Sequence, residues 1–281
     1  MPILSIQSHV AYGRVGNRAA VFALERLGHE VWPVNTVNFS NHPAMESWKG
    51  GVHRASDIAE IIDEIEKRNA FPHCAAIISG YIGDVAIGRA VLDAVKRVRK
   101  VNPRMFYALD PVIGEAPSGT YVAAGVPEFF RDEALPEADI VFPNAYELAL
   151  LSGQTITTVD QAANAAADLL KRGPEMVVVK GLRHGASISA LLVSGSQAWQ
   201  ATSPWIDVNA HGAGDLFCAV FLGHFLQRGD ARSALARAVH GVHAVLEKTK
   251  ALKLDALALV DAQDELVASS VPVVALPLWA A

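Results

Sequence analysis

The chain has 281 residues, 51% of them hydrophobic and 19% charged, with a formal net charge of −5. That length suits one large domain or two small ones, and the composition excludes a disordered, highly solvated chain and a broadly basic nucleic-acid binder. The two cysteines, Cys74 and Cys218, stand far apart without metal-ligand spacing, so both read as small buried side chains in a reducing compartment.

In chain order, the opening Met1-Pro2-Ile3-Leu4-Ser5-Ile6 lacks the basic region and long apolar core of a signal peptide. No apolar run is long enough to span a bilayer. A soluble, cytoplasmic protein without membrane partners is expected. Short apolar runs at Ile3–Gln7, Val31–Val37, Ala75–Ser79, Met105–Leu109, Ile140–Phe142 and Met176–Lys180 read as strands. Several do not alternate, which suits a sheet buried on both faces. Amphipathic stretches at Asn17–Leu27, Ser56–Asn69, Val85–Val101, Asn144–Ser152 and Val159–Arg172 read as helices between them. Ser187–Val193 and Gln197–Thr202 form an expected hairpin with Ser194-Gly195 at its turn. Two helices, Gly214–Gln227 and Ala231–Thr249, are expected to close the chain. Alternating strands and helices imply a mostly parallel sheet with helices on both faces, a single α/β domain over 1–281. Its ligand should lie beyond the carboxyl ends of the strands.

The most informative stretch is Gly212-Ala213-Gly214-Asp215, followed by the almost wholly apolar Leu216–Gly223. A helix start offers unpaired backbone N–H groups and a favourable dipole to an anion, and glycines let the backbone come close. A carboxylate there competes with a bound phosphate unless it accepts the proton of an attacking hydroxyl. Asp is also an ordinary N-cap residue, so the turn alone leaves a plain helix cap open.

Other polar residues fall at strand ends. Asp110 precedes Pro111 after a strand, so it faces the crevice. Asn144 and Glu147 open a helix after Pro143; Glu147 with Asp110 suits Mg²⁺ and phosphates, while Asn144 and Glu147 also match a capping box. Lys180 could meet a nucleotide phosphate or be a solvated strand-end lysine. Ser8 could hydrogen-bond a small polar ligand, and Tyr81 after Ser79-Gly80 could stack on a flat ring. His9, His42 and His211 have no metal spacing and each reads singly as a structural histidine. There is no Gly-x-x-x-x-Gly-Lys-Ser/Thr loop and no Gly-x-Gly-x-x-Gly; Gly13-Arg14-Val15-Gly16 is only a fragment of such patterns.

Taken together and in order, Gln7-Ser8-His9-Val10, Gly16-Asn17-Arg18-Ala19-Ala20, Val37-Asn38-Phe39-Ser40-Asn41-His42, Trp48-Lys49-Gly50, Ser79-Gly80-Tyr81, Asp110-Pro111-Val112-Ile113-Gly114, Pro143-Asn144 with Glu147-Leu148, and Gly212–Asp215 resemble the pyridoxal kinases of the ribokinase-like superfamily. The resemblance spans nearly the whole chain. It implies a three-layer α/β/α sandwich and transfer of the ATP γ-phosphoryl group to the 5′-hydroxyl of pyridoxal, pyridoxine or pyridoxamine. It implies Asp215 as base and Gly212, Ala213 and Gly214 as anion hole. Ser8 and Tyr81 would contact the substrate ring, and the segment around His42, Pro43 and Ala44 would close over it. Asp110 and Glu147 would organise Mg²⁺ and phosphates; Glu115, Tyr121, Phe142, Asn144 and Lys180 would lie on the ATP side. A homodimer helped by a monovalent cation such as K⁺ is also implied.

Three residues depart from that pattern: Ala213 and Pro43 stand where threonine is usual, and His211 where a small apolar residue is common. A hydroxymethylpyrimidine kinase on the same scaffold, and a low-activity homologue that only binds vitamin B6, remain the alternatives.

Overall fold

The apolar runs become the strands of one ten-stranded sheet in a computed structural model that describes residues 1–280. In chain order the elements are β1 (Ile3–Val10), α1 (Asn17–Arg26), β2 (Val31–Phe39), β3 (Gly50–Val52), α2 (Ala55–Lys67), β4 (Ala76–Ser79), α3 (Val85–Val101) and β5 (Phe106–Leu109). A small hairpin follows, β6 (Gly114–Glu115) and β7 (Gly119–Thr120), then α4 (Val126–Phe129), β8 (Ile140–Val141), α5 (Ala145–Ser152) and α6 (Val159–Leu170). The remainder is β9 (Met176–His184), β10 (Ser187–Ser194), β11 (Gln197–Pro204), α7 (Ala213–Arg228), α8 (Ala231–Leu252), α9 (Gln263–Leu266) and β12 (Leu276–Ala280).

The strand order is β12-β11-β10-β9-β8-β5-β4-β1-β2-β3. The middle, from β9 to β2, is parallel; β3, β10, β11 and β12 join antiparallel. Central strands such as Ala76–Ser79 are buried on both faces, as their unbroken apolar runs require. Each face has its own core. Ile58, Ile62, Val91, Val95, Val98, Leu148 and Leu169 of α2, α3, α5 and α6 cover one side. Ala19, Ala23 and Leu24 of α1, with Phe217, Phe221, Leu235 and Val245 of α7 and α8, cover the other. The architecture is the expected three-layer α/β/α sandwich.

The chain leaves β1 toward β2, then returns to β4 on the opposite side of β1. This reversal opens a crevice at the carboxyl end of β1, where open α/β sheets bind ligands. Beneath it runs a buried polar chain: Gln7 donates to Ser5 Oγ (2.9 Å), Ser5 to Asn17 Oδ1 (2.7 Å), and Asn17 to Asn35 Oδ1 (2.8 Å). Such satisfied networks fix strand and helix positions more specifically than apolar contact alone.

Three expectations change. The chain does not close on two helices, since α9 and edge strand β12 follow α8. Strand β1 runs past Gln7 to Val10, because His9 and Val10 still pair with Asn38 and Phe39 after a bulge. Phe142, expected on the ATP side, is fully buried in the α7-side core, packed edge-on against Phe221 at 5.4 Å between centroids. Its ring supports the site from beneath. Phe142→Ala should therefore cost about 3–5 kcal/mol of stability in urea unfolding; a loss under about 1 kcal/mol would contradict this core placement.

Candidate functional site

The expected site residues gather at the carboxyl end of the parallel strands. Gly212 ends the approach to α7 with φ +99°, and a Cβ on it would lie 1.8 Å from the Arg14 carbonyl oxygen. Only glycine fits, so the β1–α1 loop and the α7 turn are locked together. Ala213, Gly214 and Asp215 then form the first turn of a sixteen-residue helix whose free N–H groups point at the crevice.

Asp215 is not a helix cap: Gly212 holds that position and no side chain caps the helix. Its Oδ2 instead accepts a hydrogen bond from Gly16 N–H at 2.9 Å. Burial and then the charge of Asp110 push its carboxyl up to about 6, against the pull of Gly16 N–H and Lys180. It is thus ionised at neutral pH but held less comfortably than a surface acid, which suits a proton acceptor. Gly16 lies with φ +52°, and a Cβ there would clash with Ser8 O at 2.2 Å and Ser8 Oγ at 2.3 Å. Ser8, Gly16 and Asp215 are therefore one contiguous surface. Gly16 was legible as part of a weak glycine fragment and of the Gly16–Ala20 motif, but neither gave a hint that its N–H binds the acid.

Opposite stands a buried ion pair. Lys180 Nζ donates to Asp110 Oδ1 at 2.5 Å, with side-chain exposures of 11% and 2%. Burial works to lower the Lys180 ammonium's pKa, but Asp110, Cys218 and Glu147 together raise it. Strand β9 places it through a bulge: Gly181 has φ +71°, and the register against β10 shifts beside it. Bulges next to sites re-aim side chains in this way. A Cβ on Gly214 would lie 3.4 Å from Lys180 Nζ, so the ammonium sits against the α7 turn. Cys218, expected to be an inert filler, donates its thiol to Asp110 Oδ2 at 3.4 Å. It lies three residues after Asp215, one helical turn on, which is the signal that would have revealed it.

Glu147 is buried and its two oxygens accept from Asn144 N–H (2.8 Å) and Ile113 N–H (3.1 Å). Asn144 Oδ1 accepts from Glu147 N–H (2.9 Å), which completes the capping box, and its amide donates to Gly114 O (2.8 Å). Burial raises the Glu147 carboxyl's pKa, partly offset by Lys180 and reinforced by Asp110. Glu115 and Tyr121 are exposed on and beside the β6–β7 hairpin that Asn144 tethers. Among the described residues, no group of three or more His, Cys, Asp or Glu is placed to hold a metal alone. Two interacting buried carboxyls suit Mg²⁺, which keeps waters and shares its shell with phosphates. A divalent cation there would also favour the ionised form of Glu147 against the burial that raises its pKa.

Tyr81 packs beside Val10, Val15, Val37 and Phe39, and its carbonyl accepts from Thr36 Oγ1 at 2.6 Å. Burial raises its phenol pKa. His42, Pro43 and Ala44 lie in the loop joining β2 to β3; Pro43 and Ala44 are exposed and His42 is half-buried. The His42 ring stacks on His211 at 3.9 Å between centroids, 11° from parallel.

A glycine-bounded helix start with unpaired N–H groups, an acid beside it, a half-buried lysine and two further acids at a sheet's carboxyl end are the features of a class: the ribokinase-like small-molecule kinases. Residues 50–258 match the family model described as phosphomethylpyrimidine kinase. The chain is 44% identical over 274 residues to a pyridoxal kinase of Rubrobacter xylanophilus, covering 96% of this chain and 94% of that one. It is 41% identical over 268 residues to a pyridoxal kinase of Corynebacterium diphtheriae, covering 94% and 95%. The crystal structure of the Leishmania donovani pyridoxal kinase in complex with ADP and pyridoxamine superposes with a TM-score of 0.93 at 26% identity, covering 99% of both chains. The chain belongs to the pyridoxal kinase family.

The ion pair generates a test. Asp110→Ala should destabilise the protein by about 3–5 kcal/mol, because it strands a buried ammonium. Adding Lys180→Met should recover most of that loss in urea unfolding; a double variant as unstable as the single one would mean the charge was never the cause.

Proposed function

We propose that this protein transfers the γ-phosphoryl group of ATP to the 5′-hydroxyl of pyridoxal, with pyridoxine and pyridoxamine as further acceptors. The observation that carries the reading is the Gly212–Asp215 turn: a free helix N-terminus with a half-buried, pKa-raised carboxyl beside it. The acceptor hydroxyl gives its proton to Asp215 as its oxygen bonds to the γ-phosphorus and the bond to the β–γ bridging oxygen of ATP breaks, releasing ADP. Phosphoryl transfer of this kind needs positioning and charge stabilisation more than covalent chemistry. The N–H groups of Ala213 and Gly214 and the Lys180 ammonium serve the charge on the migrating group.

Ser8 and Tyr81 hold the ring, and the loop carrying His42, Pro43 and Ala44 covers it. Asp110 and Glu147 hold Mg²⁺, which when bound neutralises charge on the ATP phosphates. Asn144, Glu115 and Tyr121 form the loop side of the nucleotide site, with Phe142 supporting it. A homodimer, a role for K⁺ and a cytoplasmic location complete the proposal, supported by the sequence resemblance; among the described residues no helix is long and apolar enough to cross a membrane. The family match to phosphomethylpyrimidine kinase makes hydroxymethylpyrimidine the acceptor to test alongside.

Purified protein assayed with ATP, the three B6 vitamers and hydroxymethylpyrimidine should phosphorylate pyridoxal; turnover of the pyrimidine alone would sink this reading. Asp215→Ala should lower kcat by about 10²-fold or more while pyridoxal still binds, as loss of a general base does. Because Asp215 must be ionised to accept a proton and its carboxyl sits at about 6, wild-type kcat/KM for pyridoxal should fall as pH drops through about 6. This acid limb should be missing from the residual activity of Asp215→Ala. Ala213→Thr keeps the N–H of the anion hole and adds only a hydroxyl and a methyl at a half-buried position. It should retain activity within about tenfold of wild type, the scale of one modest hydrogen bond; a collapse in a steady-state assay would show that the turn is shaped differently from its relatives'.

A further inference from the structure

The loop between β2 and β3 is braced by its own bonds. Ser40 Oγ donates to Asn41 Oδ1 (2.6 Å) and accepts from Lys49 N–H (2.9 Å). Asn41 Nδ2 donates to Ser47 O (2.8 Å), and Phe39 packs on Trp48 at 4.5 Å between centroids. His42 Nδ1 accepts from Ala44 N–H (3.2 Å), which fixes the ring and leaves its proton on Nε2. The loop is therefore a preshaped unit on the strand at the sheet's edge.

His211 is fixed from the other side. Its backbone bridges Ala256, and the next residue, Gly212, lies against the Arg14 carbonyl so closely that no side chain fits. The segments on either side of this junction are tied in turn, Tyr12 donating to Asp255 at 2.9 Å. The His211 backbone is thus held in place one residue before the anion cradle. His42 lies flat on the His211 ring. Burial and the neighbouring His211 lower the His42 pKa to about 4, so the imidazole facing that ring is neutral. A neutral ring does not repel its partner, and aromatic stacking then favours the docked loop.

We infer that His211 is a positioning residue that clasps the His42 loop onto the segment leading into the catalytic turn, so that the loop is held over the substrate from the turn's side. This rests on the kinase reading for its kinetic consequence but not for the clasp itself. His211 touches no reacting atom in this account. It acts through His42, and its effect falls on how tightly the covered substrate is held.

The test is amide hydrogen exchange over 40–49, together with pyridoxal kinetics, in wild type, His211→Val and His211→Phe. His211→Val should speed exchange in this segment by about three- to tenfold, the worth of one aromatic stack. It should raise KM for pyridoxal by a similar factor with kcat within about twofold. His211→Phe, which keeps a flat ring, should restore both. Unchanged exchange in His211→Val, or a His211→Phe that behaves like His211→Val, would overturn the clasp. Altered exchange with an unchanged KM would overturn its role in substrate binding. If no variant and not the wild type phosphorylates a B6 vitamer, yet exchange responds as expected, the clasp stands and the kinase reading falls.

Discussion

One ammonium holds this site together. The carboxyls of Asp110, Glu147 and Asp215 all lie close enough to feel one another or Lys180, and two of the three are pushed up by burial. Without Lys180, acids gathered at one end of a dry sheet would simply take up protons. With it, Asp110 keeps a short, charge-assisted partner, and the field that remains leaves Asp215 poised near neutrality. The bulge at Gly181 is what turns that lysine inward from β9. A backbone irregularity in one strand thereby sets the charge balance of a helix start and two neighbouring strand ends.

The same economy of position recurs at the α7 turn. At Gly212 and Gly16 neighbouring backbone, and at Gly16 a serine side chain as well, comes too close for any side chain. One closes the turn on the β1–α1 loop; the other presses Ser8 against the N–H that holds Asp215. Ser8 and Asp215 are thus fixed relative to one another by rigid backbone rather than by flexible side chains, which is how catalytic geometry is kept within tolerance. The loop carrying His42 is the exception, being a hairpin connection on the edge pair β2–β3. It is placed by what it docks against.

Much of this was legible. Non-alternating runs such as Val177-Val178-Val179 announced strands buried on both faces, and α3 spans Val85–Val101 as its periodicity indicates. The α7 run, apolar all round, could only be an inner helix, and it is. What escaped were elements that local pattern does not specify. Strand β3 is Gly50-Gly51-Val52, exposed along its length, and exists because Val37, Asn38 and Phe39 offer it a ladder. Strand β12 contains a proline and adds to the free edge of β11, a position tolerant of a missing donor. The site residues were named from strand ends and family resemblance, but their partners were not. The stack of His42 on His211 does not follow from spacing, since it joins segments more than a hundred residues apart.

Glu147 shows why a structural and a functional reading of one residue need not compete. As a capping-box acid it needs only its bond to Asn144 N–H, and a surface glutamate would do that without strain. Here the same carboxyl is buried to 2% exposure and its second oxygen reaches Ile113 N–H, in the segment leading from Asp110 to the β6–β7 hairpin. Its capping partner Asn144 holds Gly114 of that hairpin with its amide. The cap of α5 is therefore also the hinge-pin of the loop on the proposed nucleotide side, and it is stationed beside Asp110 at the cost of an unfavourable buried charge. A cap alone gives no reason for that burial. On the proposed reading the cap also faces a cation and phosphates, and the cation's charge would remove that penalty when the site is filled.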